Sequence, residues 1–138
     1  MTITQSKAAI APTTLLRRLL ALDAVVTGGN GLIYLFASVW VADLLGVSAG
    51  ALVGIGAFLV VYGIAVGALA LSKSPARGLA MAVVEANLVW ALASVVIAVF
   101  GLMGANTIGT VWTIVQAVAV AGFGATQQYA LNKIKAAA

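Results

Sequence analysis

Apolar residues run along most of this chain in four long stretches, and short clusters of polar residues, glycine and proline separate them. The stretches cover about 15–41, 51–71, 78–102 and 108–129. A helix needs about 20 apolar residues to cross the roughly 30 Å hydrocarbon core of a bilayer, so each stretch predicts one transmembrane helix. The expected fold class is therefore all-α: an integral membrane four-helix bundle forming a single domain over 15–130, with tails at 1–14 and 131–138. Thr13 or Thr14 is positioned to cap the first helix, since a threonine hydroxyl accepts from free amides at a helix start. Turns are expected at Ala42–Ser48, at Ser72–Arg77 with its helix-stopping Pro75, and at Gly104–Thr107. The first apolar run follows a positive stretch, as in a signal peptide, but it is too long for a signal core, carries Asp23, and predicts a retained helix.

Composition agrees with this reading. Hydrophobic residues make up 64% of the chain and charged residues 7%, where soluble proteins carry roughly a quarter charged residues. Cysteine and histidine are absent, which removes disulfides, thiolate metal sites and histidine-ligated haem, so no cofactor is expected. The seven basic residues are Lys7, Arg17, Arg18, Lys73, Arg77, Lys133 and Lys135. Four crossings place all of them on one side, and the positive-inside rule makes both termini cytoplasmic in a cell inner membrane. Trp40 and Trp112 fall near the opposite face and Tyr129 near the basic one, as interfacial aromatics do. The net charge of +4 is carried at helix ends with no aromatic-interleaved patch, so the partner it implies is anionic lipid headgroups, not nucleic acid.

The few polar residues inside the apolar stretches are the candidates for function. Asp23, Thr27, Asn30, Tyr34 and Ser38 step by four or three residues and share one helix face. Thr27 and Asn30 lie near the bilayer middle, Asn87 and Trp90 reach the same depth, and Tyr62 approaches it from the other direction. Thr27, Asn30, Tyr62, Glu85, Asn87, Trp90 and Gln116 form a candidate intramembrane polar layer, read either as a small polar cavity or as interhelical hydrogen bonds that fix packing. Glu85 is the sharpest member. A charged residue at a membrane-helix centre costs about 2.5 to 3.5 kcal/mol on insertion scales, so Glu85 must be neutral, paired or in contact with water. Asp23 stands close to Arg17 and Arg18 and is expected to pair with them at headgroup level.

The segment Thr27-Gly28-Gly29-Asn30-Gly31 also has two readings. Glycine costs about 1 kcal/mol relative to alanine inside a helix, so this turn is weak and could be unwound around a ligand. Alternatively, Gly28, Gly29 and Gly31 make a flat groove for a neighbour, with Gly63 and Gly67 of the second span as the matching small-xxx-small pair. A weaker pattern, Ala24–Thr27 with Asn30 echoed by Ala82–Glu85 with Asn87, fits two helical hairpins repeated in parallel orientation.

The run Arg17-Arg18-Leu19-Leu20-Ala21-Leu22-Asp23, with Asn30-Gly31-Leu32, Asn87-Leu88-Val89-Trp90 and Gln116-Ala117, resembles small four-helix inner-membrane proteins of bacteria. The resemblance implies size and location. Length and span number are also similar to small multidrug exporters, whose membrane-buried glutamate lies in the first helix, where this chain has Asn30 and glycines. With only Asp23, Asp43 and Glu85 as acids, set at different expected levels, acid–base enzyme chemistry is not expected. The expected function is non-catalytic: an accessory subunit of a larger membrane complex, or a self-associating scaffold. The alternative is a small transporter or channel that uses Glu85 for proton or cation coupling.

Overall fold

The computed structural model describes residues 10–137, and every regular element among them is helical. In chain order these are α1 (Pro12–Phe36), α2 (Ser38–Leu45), α3 (Ala49–Leu71), α4 (Arg77–Phe100) and α5 (Thr107–Ala137). Four of them, α1, α3, α4 and α5, are long and apolar enough to cross a membrane, the mark of a multi-pass membrane protein.

The ends of the helices follow local chemistry. α1 begins at Pro12, whose fixed φ suits a first helical position and whose missing N–H is not needed there, so Thr13 and Thr14 fall inside the first turn and do not cap it. The expected first span is broken at Ala37 (φ −120°, ψ 27°), and most of the expected turn at 42–48 is the short helix α2. Gly46 closes α2 in the left-handed region at φ 73°, where its own N–H and that of Val47 both bind the Ala42 carbonyl, at 2.8 and 3.1 Å. Ser48 then caps α3 by accepting from the Ala51 N–H at 3.2 Å. At the other end of the chain, α5 does not stop near Tyr129 but continues through Asn132, Lys133 and Lys135 to Ala137. Of the expected tails, residues 1–9 lie outside the described residues and 131–137 are helical.

Packing is set by where backbones can approach. α1 lies along α3, α4 lies along α5, α1 also touches α5, and α3 and α4 meet only sparsely. The α1–α3 contact is made by glycine: a Cβ built on Gly31 would stand 2.8 Å from the Gly56 carbonyl oxygen, one on Gly56 2.8 Å from the Gly31 oxygen, and one on Gly63 2.8 Å from the Gly28 Cα. Such closeness yields dispersion contacts that lipid chains cannot match. α1 stays helical through Thr27–Gly31, so the unwound alternative gives way to close packing. Two expectations need correction here. Gly29 points away from α3, with nothing within 4 Å of a Cβ, and Gly67 makes only an ordinary 3.6 Å approach to Ala24. Gly56, another glycine of the second span, completes the contact.

Two apolar cores result. One gathers Leu16, Leu20, Val66, Val84, Ala130 and Leu131 from all four long helices; the other holds Tyr34, Ala42, Leu52 and Leu59. Near the first core, Arg17 donates to the Ala70 carbonyl in the last turn of α3 at 3.0 Å, where the unpaired carbonyls carry partial negative charge. At the other end, Asn106 joins α5 to α2. Its Oδ1 accepts from the Gly109 N–H at 2.9 Å as a helix cap, its Nδ2 donates to the Leu44 carbonyl at 3.0 Å, and its own N–H binds the Leu45 carbonyl at 3.0 Å. Asn106→Ala is expected to lower stability by about 1 to 2 kcal/mol, measured by reversible unfolding in mixed micelles, because it removes a cap and an interhelical bond together.

Candidate functional site

The most fully buried polar group in the fold surrounds Asp23, whose residue is only 1% exposed. It sits on α1 six residues beyond Arg17, about 9 Å along the axis at 1.5 Å per residue. Its face of α1 continues from Leu16 and Leu20 through Thr27 to Gly31 and Tyr34, all of them buried except the half-buried Thr27. Asp23 Oδ2 accepts from Asn87 Nδ2 of α4 and from Gln127 Nε2 of α5, both at 2.8 Å, and Oδ1 accepts from the Thr27 hydroxyl at 2.9 Å.

The amides close the ring. Asn87 Nδ2 also donates to Gln127 Oε1 at 3.0 Å, while Asn87 Oδ1 accepts from the Tyr62 hydroxyl of α3 at 3.2 Å. The Tyr62 hydroxyl lies 3.3 Å from the Val83 carbonyl as well. Asn87 thus uses both amide hydrogens and its oxygen, and among the described residues no buried side-chain polar atom is left without a partner. Each of the four long helices contributes a side chain. A network this complete joins the helices through neutral donors and holds no donor in reserve for a substrate at Asn87.

This changes the picture drawn from the sequence. Asp23 does not pair with Arg17 or Arg18 at the helix end; Arg17 is turned to the Ala70 carbonyl, and Asp23 looks inward to amides. The candidate layer divides. Thr27, Tyr62 and Asn87 come together around Asp23. Trp90 and Gln116 pair separately, Trp90 Nε1 donating to Gln116 Oε1 at 3.1 Å and Gln116 Nε2 donating to the Thr113 carbonyl at 2.9 Å. Asn30 lies beside the second pair on the wall of two cavities. Glu85 joins neither set: it is exposed on the side of α4 opposite Val83, Val84, Asn87 and Ala91, which face inward.

The expected layer leaves out Gln127, Tyr34 and Trp112, although Tyr34 is on the expected polar face of the first helix and Trp112 is expected near the membrane surface. Gln127 is fully buried, and Trp112 Nε1 donates to the Tyr34 hydroxyl at 2.7 Å.

Between the helices on the Asn106 side of the Asp23 network are two cavities of about 140 and 440 Å³. They share Asn30, Leu59, Trp90, Trp112 and Gln116 in their walls. Thr27, Tyr62 and Asn87 line the larger, so the Asp23 network borders it. Phe58 packs between Tyr62 and Trp90, with ring centroids 6.0 and 5.7 Å away, and spans the sparse α3–α4 contact. Comparison with protein-family models, with curated proteins and with solved structures finds no match, so geometry alone carries the functional reading.

Proposed function

We propose that the chain is a non-catalytic component of the cell inner membrane that works by lateral association, as a self-associating scaffold or as an accessory subunit of a larger complex. In this reading it is a four-helix bundle with both termini in the cytoplasm, and Arg18, Lys73, Lys133 and Lys135, all exposed, meet anionic headgroups there.

The observation that carries the reading is the position of Glu85. It stands eight residues into α4, about 12 Å from Arg77, on a face whose other exposed residues include Ala82, Val89 and Leu92. Hydrocarbon offers a carboxyl group no partner, and the interior of the fold has no part in satisfying this one. A neighbouring helix can supply a donor at that depth. A second copy in the same orientation brings its own Glu85 to the same level, where one carboxyl donates to the other; a different subunit would bring a cation or an amide. Ala82 is small enough to let either approach. A transporter or channel coupled through Glu85 would need that side chain at a cavity wall, and neither cavity includes it.

The test is the state of the protein extracted in mild detergent. The native chain is expected to run as an assembly larger than one copy or with a stoichiometric partner. Glu85→Leu should reduce it to the single chain, while Glu85→Gln, which keeps a donor and an acceptor, should largely retain the assembly. A native chain that is monomeric with nothing copurifying would overturn the proposal.

A further inference from the structure

The larger cavity has a wall that reaches the outer surface of the helices. Val26 and Ile33 of α1 and Val115 of α5 line it, and all three are about half exposed. These are aliphatic residues on helices long enough to span a membrane, so this part of the wall, between α1 and α5, faces hydrocarbon, not water. Whatever enters by it must be soluble in lipid.

Inside, the hydrogen-bonding capacity is unevenly spent. The indole N–H of Trp90 goes to Gln116 and that of Trp112 goes to the Tyr34 hydroxyl. Tyr34 accepts that bond through its oxygen and has its own proton left to give. Gln116 uses one of two amide hydrogens on the Thr113 carbonyl. Asn30, on the wall of both cavities, takes no part in the side-chain hydrogen bonds among the described residues. A phenol and two carboxamides therefore keep donors to give beside the wall that the two cavities share, and the Asn30 carboxamide oxygen is unspent as well.

Asn30 is 13 residues along from Arg17, about 20 Å, which places this shared wall well inside a core of roughly 30 Å and away from the ester carbonyls of phospholipids at its edge. Aromatic rings border it, and the larger cavity, at about 440 Å³, falls within the roughly 300 to 1,000 Å³ typical of small-molecule sites between helices.

We infer that the two cavities, with the wall they share, form a binding site for a flat, lipid-soluble molecule bearing an uncharged carbonyl oxygen. The molecule enters from the bilayer between α1 and α5, and its oxygen is held by Asn30 with Tyr34 and Gln116 near by. The site is independent of the Glu85 face and of any assembly it makes.

The three tryptophans of the chain provide the readout, since Trp90 and Trp112 border the site and Trp40, 80% exposed on α2, does not. Trp40→Phe protein in nanodiscs of ether-linked lipid, which bring no carbonyl of their own, is titrated with menadione, a planar dicarbonyl quencher. Saturable quenching is expected. Asn30→Leu should raise the half-saturating concentration about tenfold, the loss of one hydrogen bond. Ala119→Phe, which fills the wall of the larger cavity from an exposed position on α5, should abolish saturation. Circular dichroism of each variant tests its helical fold, and either variant alone suffices for the comparison. Quenching that rises linearly in the native protein, or that saturates identically with the cavity filled, would overturn the inference.

Discussion

Asp23→Leu is expected to destabilise the folded protein by about 2 to 4 kcal/mol, whereas Asp23→Asn is expected to cost less than about 1 kcal/mol. Leucine leaves Gln127 Nε2 without its acceptor, takes one of two acceptors from Asn87 Nδ2, and does so where both residues are at most 4% exposed. An orphaned buried donor costs about 1 to 3 kcal/mol, and two are affected here. The Thr27 hydroxyl loses its bond too, but it can turn to the carbonyl one helical turn back at little cost. Asparagine preserves the pattern. Its amide oxygen can accept from Asn87 and Gln127, and its NH₂ can donate to the Thr27 oxygen, since a hydroxyl gives or accepts. Reversible unfolding in mixed micelles measures both variants. A loss as large for asparagine as for leucine would mean that the negative charge, not the bonding pattern, matters at this position.

The second large effect is expected at the α1–α3 contact. Gly31→Ala should cost about 1 to 3 kcal/mol, because the added methyl would stand 2.8 Å from the Gly56 oxygen and 2.9 Å from both Leu59 Cβ and Val60 N. Backbone atoms cannot move aside as a long side chain can, so the two helices must separate along their contact. Gly56→Ala meets the same contact from the other side, at 2.8 Å from the Gly31 oxygen and 2.9 Å from Tyr34 Cβ. The double variant should therefore cost clearly less than the sum of the two, since one displacement relieves both clashes. Gly29→Ala is the internal control. With nothing within 4 Å, it should be neutral or stabilise by up to about 1 kcal/mol through helix propensity. Equal losses at Gly29 and Gly31 would show that backbone flexibility, not close approach, is what these glycines provide.

How far the sequence reached can be judged residue by residue. Four apolar stretches of the right length were enough to find α1, α3, α4 and α5, because length and hydropathy are properties of each segment alone. The glycine groove was also visible, but which glycines line it depends on the rotation of α1 against α3, and that separated Gly31 from Gly29. Asp23 was misplaced for the same reason. Its distance along the chain from Arg17 suggests an ion pair, yet its helical step from Leu16 and Leu20 to Thr27 puts it on the face that is buried. Gln127 falls two residues from the expected end of the fourth stretch at 129, since the residues beyond read as a tail; with α5 continuing to Ala137, it lies ten residues inside and reaches Asp23. The echo between Thr27 and Glu85 did not extend to their surroundings, since one faces the network and the other faces outward. The cavities, built from four separate helices, had no local signature.

Both the association through Glu85 and the entry of a ligand between α1 and α5 require hydrocarbon around the four long helices, with the Ser74 turn and the start of α5 on opposite aqueous sides. Single cysteines test this directly, because the chain has none of its own. Ser74→Cys and Thr107→Cys, both at exposed positions, are treated in sealed right-side-out vesicles with a maleimide that cannot cross the bilayer. The predicted result is labelling of the Thr107 variant from outside and of the Ser74 variant only after the vesicles are opened. Labelling of both variants from the same side would contradict the crossing of α4, and with it the lipid environment of Glu85 and of the cavity mouth.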